Sequence, residues 1–284
     1  MYHVSFILVL FLYQFSVGCM ILLALMPLRE VDIQFYRLAS GMSALFTAIG
    51  LFLNFYYPFE LPQNFGVVRA QQGLWPQITV GLYIAFFAIS FFLYLRMRWK
   101  LAGGAKLLVR ASAILGGASL IAEGFLYRTN DLYGGLKNFI LPLHFLTAAM
   151  FLGVFVLAMI FGHWYLVKSM PKRLLARMAE TLIFVLVARI LVVLATFWLY
   201  SKDISGGGAS IDQLMDLWKG HGLFFWQRML AGLGIPAVLS YMIWKTAKLG
   251  ANQSATGLLY VGVVFVIIGE MISKYIFLLS SIPI

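Results

Sequence analysis

Two ionisable residues sit deep inside the last apolar run of this chain, VGVVFVIIGEMISKYIF, at Glu270 and Lys274. Charged groups at membrane depth are costly and usually face a protein interior or a wet cavity. Their i,i+4 spacing puts them on one helix face, where they can pair. Two readings follow. One is a salt bridge that fixes packing against a neighbouring helix, and the other is the polar wall of a site for a small redox or proton-carrying ligand.

Further polar residues interrupt other apolar runs: Gln14, Glu123, His144, Arg189, His221 and Arg228. A carboxylate and an imidazole together can accept protons from a bound ligand. A cation such as Arg228 or Lys274 beside them would stabilise negative charge there. His221 and Arg228 are seven residues apart, about two turns, and share a face. Glu123 and Arg128 are five apart and point in different directions, which leaves Arg128 to snorkel toward water. Gln14 is expected to hydrogen-bond between helices. His144, close after Pro142, reads as a residue near a helix start, either capping or contacting a ligand. His163, beside Trp164 and Tyr165, reads as an interfacial anchor.

The elements that must position these residues follow from composition. The chain has 284 residues, of which 62% are hydrophobic and 11% charged, against about half and a quarter in soluble domains. Eight runs are long enough to cross a bilayer: 4–26, 37–57, 77–97, 107–127, 139–162, 177–200, 221–244 and 256–279. None alternates with period two, so a β-barrel is excluded. The expected fold is all-α, an eight-helix transmembrane bundle forming a single integral membrane domain over 1–284. The N-terminal run lacks a basic leader and reads as an uncleaved helix.

The net charge of +11 is explained by topology, with no nucleic-acid partner expected. The loops after the first, third, fifth and seventh runs hold thirteen Lys and Arg, and the other three loops hold five. The excess assigns the first group to the cytoplasm and both termini to the outer, periplasmic side. On that orientation most of the intramembrane polar residues fall in the outer leaflet. The segment IDQLMDLWKG reads as a surface helix with Leu214, Leu217 and Trp218 toward lipid. Pro236, with Gly232 and Gly234 before it, is expected to kink the seventh run. Late glutamates in the fourth and eighth runs, with aromatic-then-basic ends on the third and seventh, suggest a parallel four-plus-four repeat.

Cofactor chemistry is bounded as well. One cysteine, Cys19, excludes an iron–sulfur cluster, a Cys-rich metal site or covalent c-type haem in this chain. His144 and His163 are 19 residues apart on one run, about 28 Å, and cannot share a haem. His144 with His221 is the remaining intramembrane pair, so haem b is under-supported and no metal site is assigned.

The first run reads FLYQFSVGCMIL and the last IGEMISKYIF. The Gln-x-x-Val-Gly of the former and the Gly-Glu, basic, aromatic pattern of the latter resemble the DMSO-reductase membrane-anchor family, with the NrfD-like anchors as more distant kin. Eight spans with both ends outward match that family's architecture. Its second helix usually ends in a His-Leu-Gly-x-Pro turn; here the region reads GLFLNFYYPFE, with Asn54 and no histidine. The family's quinol histidine therefore has no counterpart there, and His144 would have to serve from another helix. The resemblance implies a respiratory anchor subunit in a bacterial or archaeal cytoplasmic membrane. Such a subunit binds a quinone (menaquinone or ubiquinone) near the outer leaflet. Its implied partners are an iron–sulfur subunit and a distal catalytic subunit, such as a molybdenum enzyme. Glu270, Arg228 and His144 would serve first, then Lys274 and Glu123, with Gln14, Arg189 and His221 in support. A small-solute or proton transporter and a haem-bearing anchor remain open alternatives.

Overall fold

The computed structural model describes residues 2–27, 30–56, 67–69, 74–101, 103–129, 134–167, 173–201, 214–217, 222–280 and 282–284; for 2–4, 67–69, 128–129, 134–138, 167 and 201 it describes backbone only. Eight helices are long and apolar enough to cross a membrane, and they coincide with the eight expected runs. They are α1 (Tyr2–Leu25), α2 (Ile33–Tyr56), α3 (Leu74–Arg98), α4 (Ala105–Leu126), α5 (Gly134–Val167), α6 (Arg173–Ser201), α7 (Gly222–Lys248) and α8 (Asn252–Ser280). The protein is a multi-pass helical membrane protein. Lipid offers no partner for backbone N–H and C=O groups, and helices satisfy those groups within the segment.

Helices α1 and α5 form the centre. In each, 78% of the crossing window is buried, against 28 to 44% in the other six. Their backbones touch. A Cβ on Gly18 would lie 1.8 Å from the carbonyl oxygen of Ala149, and one on Gly153 would lie 2.3 Å from the carbonyl carbon of Gly18. Between apolar helices in apolar solvent, close van der Waals packing of this kind takes over the role of the hydrophobic effect. Around the pair, α1–α4 pack in sequence with α4 returning to α1, and α5–α8 do the same with α8 returning to α5. The two groups of four are joined through α1 with α5, α4 with α5, and α1 with α8.

Buried hydroxyls are satisfied within their own helices, as in Ser40 to the Tyr36 carbonyl and Thr147 to the Leu143 carbonyl. A few cross between helices: Ser43 donates to the Ser16 carbonyl at 3.0 Å, and Ser90 meets Ser112 at 2.7 Å. At one end of the bundle, strands β1 (Val67–Arg69) and β2 (Tyr127–Thr129) pair antiparallel and tie the α2–α3 connection to the α4–α5 connection. Phe6, Tyr127 and Phe277 pack edge to face there, so this end holds both ends of the chain. The opposite end carries the basic connections, where Arg173 pairs with Glu30 at 2.8 Å. A left-handed glycine, Gly250, turns α7 into α8.

Two local expectations are corrected. Pro142 lies inside α5, eight residues beyond its start, because the helix extends back to Gly134. Its ring is accommodated by Gly124 of α4, where a Cβ would come within 2.6 Å of the Pro142 Cα. Leu214, expected toward lipid, is 3% exposed; Met215 beside it accepts a 2.9 Å bond from Trp226 Nε1, which pulls this segment onto α7. In α7, a π-helical stretch, Leu230–Gly234, precedes Pro236. Trp218, His221 and the Arg128 side chain lie outside the described residues.

Candidate functional site

The polar residues converge on Glu270 of α8, which is wholly buried. Its neighbour Gly269 faces Gly232 of α7 so closely that a Cβ on Gly269 would lie 2.4 Å from the Gly232 Cα. This backbone approach lets Arg228, one turn earlier on α7, reach across to the carboxylate at 2.8 Å. Pro236 has no N–H to give to the carbonyl of Gly232. Arg228 Nη1 donates to that oxygen at 3.3 Å. The break in α7 and the arginine beside it are therefore one arrangement, with a cation filling the backbone acceptor that the proline frees.

Arg189 of α6 holds the other side. It donates from Nε to Oε1 and from Nη2 to Oε2 of Glu270, each at 3.2 Å. Its remaining nitrogen, Nη1, lies 2.8 Å from His144 Nδ1 and 3.0 Å from the His144 carbonyl of α5. A guanidinium only donates, so His144 Nδ1 is the acceptor in this contact. Lys274, one turn beyond Glu270, reaches Oε2 and the Glu270 carbonyl, both at 3.2 Å. The carboxylate thus receives donors from three cations on α6, α7 and α8. Arg189, Arg228, Lys274 and His144 are all at most 3% exposed.

These groups wall a cavity of about 10 Å³, the lower limit for one water molecule. Gln14 of α1 lines it, 1% exposed, and its Oε1 has no hydrogen-bond partner among the described residues. This oxygen is an open acceptor at the cavity wall. Ser273, Phe145 and Phe277 complete the wall with Pro283. Residues 282–284 fold back into the bundle, and the Ser273 hydroxyl donates to the Ile284 oxygen.

Glu123 stands apart from the Glu270 contacts. It accepts a 2.8 Å bond from Tyr127, whose ring packs on Phe145 and Phe277, so an aromatic layer lies between it and the cavity. His163 meets the Tyr260 hydroxyl at 3.1 Å at the basic end. Among the described residues no group of three or more His, Cys, Asp and Glu assembles that could hold a metal ion. Arg189, given only a supporting place by the sequence, is the residue that links Glu270 to His144. No protein-family model, curated protein or solved structure matches the chain.

Proposed function

We propose that this chain is the membrane anchor of a respiratory oxidoreductase complex, binding a quinone or quinol at the Glu270 cluster and exchanging electrons with an iron–sulfur partner subunit. The observation that carries the reading is the convergence of an imidazole, a lysine and an unfilled amide oxygen on one buried cavity, held by a saturated carboxylate. The residues suit the oxygens of a quinone ring: Lys274 donates, Gln14 accepts from a hydroxyl, and His144, whose Nδ1 accepts from Arg189, has its Nε2–H to donate to a ring oxygen. Glu270 has four donor contacts and acts as the organiser that orients Arg189 and, through it, His144. When bound, the quinone supplies the two-electron, two-proton chemistry. The cavity holds about one water, so binding a ring requires it to open, and withdrawal of the 282–284 segment, whose Pro283 lines it, is the opening this reading invokes.

The same reading places the chain in a bacterial or archaeal cytoplasmic membrane with both ends outward and a distal catalytic subunit beyond the iron–sulfur partner. The two sequential groups of four helices support a four-plus-four repeat. The test is purification from the native membrane under mild conditions, with subunit composition, extractable quinone and haem assayed together. Iron–sulfur partners and bound quinone are expected, with the quinone reduced in His144→Asn and Gln14→Leu. A solitary chain without quinone overturns the reading.

A second reading, a proton or small-solute transporter, would use the same buried Glu270, Arg228 and Lys274 and the π-helical break in α7. It predicts a chain that purifies alone and moves its solute in vesicles.

A further inference from the structure

The cleft between α4 and α6 has a volume of about 960 Å³ and lies at the basic end. Both helices pack on α5, and the space between them is floored by apolar side chains, including Leu22 of α1, Val154 of α5 and Met178 of α6. Three exposed cations, Lys106, Arg110 and Arg177, stand at its rim. Among the described residues the single acid in the lining, Glu30, is already paired with Arg173 at 2.8 Å. The rim is therefore cationic over an apolar floor.

Depth distinguishes the occupant. Thr181 is eight residues into α6, about 12 Å from its start, and Val154 is thirteen residues from the end of α5, about 20 Å. Half the hydrocarbon thickness of a bilayer is about 15 Å. A cleft that begins at cations and runs through one leaflet matches the length of a lipid, with the charge at the headgroup level. A docked soluble protein would meet the rim and leave the floor empty.

We infer that this cleft is a binding site for one anionic phospholipid of the adjoining leaflet, its phosphate at Lys106, Arg110 and Arg177 and an acyl chain along Leu22, Val154 and Met178. The lipid fills the gap between the two groups of four helices and seals the side of the α1–α5 core. Selectivity for negative headgroups comes from the rim, since the floor accepts the acyl chain of any phospholipid. The inference is independent of the quinone reading.

Native mass spectrometry of the full chain, released from nanodiscs of equal phosphatidylglycerol and phosphatidylcholine, tests it. The wild type is expected to retain phosphatidylglycerol preferentially. The triple variant Lys106→Gln, Arg110→Gln, Arg177→Gln should lose that preference, by about fivefold for each cation removed. Lys245→Gln with Lys248→Gln, at the same end on α7, should keep it. Thr181→Trp leaves the rim charges in place and obstructs the acyl path, so it should lower retention of both lipids. Equal retention of the two lipids by the wild type, or an unchanged preference in the triple variant, overturns the proposal. So does full retention in Thr181→Trp.

Discussion

Arg189 binds Glu270 through two nitrogens, Nε and Nη2, each 3.2 Å from a different carboxylate oxygen, with both side chains wholly buried. The planar fork of a guanidinium satisfies both oxygens from one direction and leaves its third nitrogen for His144. Lysine has the charge without the fork. Arg189 is thus the hinge pin between α5, α6 and α8.

Breaking this pair leaves uncompensated charge in a dry interior. Glu270→Gln, which sets three cations facing one another, is expected to cost about 3 to 5 kcal/mol. Arg189→Met leaves two cations on the carboxylate and is expected to cost about 3 kcal/mol. The double variant should lose less than the sum, since the two residues share one network. Unfolding of the purified chain in detergent, followed by helical signal, checks all three. Additive losses would argue against the network.

Gly18 and Gly81 give a matched pair. A Cβ at Gly18 meets the Ala149 carbonyl, whereas one at Gly81 meets nothing within 4 Å. Gly18→Ala should destabilise by about 1 to 3 kcal/mol, the usual cost of overpacking. Gly81→Ala should be neutral or stabilise by up to about 1 kcal/mol, as expected for glycine in a helix interior. Melting temperatures in one detergent decide between equal and opposite effects.

Cys19 is wholly buried, so the folded chain should resist thiol reagents. In the Ser273→Cys variant the new thiol lies beneath residues 282–284 and should also be slow to label. Deleting 282–284 should raise its labelling rate by about tenfold or more, provided the opening involves at least about 1.4 kcal/mol. Equal rates would mean that the segment does not cover the cavity.

Glu123 and His144 should separate in function. Tyr127→Phe or Glu123→Gln disturbs one buried hydrogen bond and is expected to cost about 1 to 3 kcal/mol of stability. If the chain binds quinol as proposed, quinol oxidation should persist in Glu123→Gln and fall by about a hundredfold in His144→Asn, the range for loss of one positioned hydrogen-bond donor. Measured rates at equal complex concentration settle the assignment.

The order and extent of the helices were legible because hydropathy and length suffice for them in a bilayer. The Glu270–Lys274 pair was legible from spacing alone, and the convergence of polar residues toward one end from the alternation of the spans. The central place of α1 and α5 was not. Lipid and protein interiors are both apolar, so Gly18 and Gly153 carry no hydropathy signal that separates a buried helix from an exposed one. Arg189 has no charged neighbour within eight residues in its run, and only tertiary contact shows that Glu270 and His144 lie on either side of it. Period and hydropathy likewise omit the π-helical stretch, although Gly232, Gly234 and Pro236 marked a break there. The burial of 282–284 had no sequence signal.

The imbalance around Glu270 has an electrical consequence. Three cations face one carboxylate at the middle of a low-dielectric wall. A passing sodium ion or hydronium would meet a repulsive potential there, as at the arginine constrictions of water-selective pores. On electrostatic grounds the cluster should therefore admit a neutral molecule more readily than a small cation.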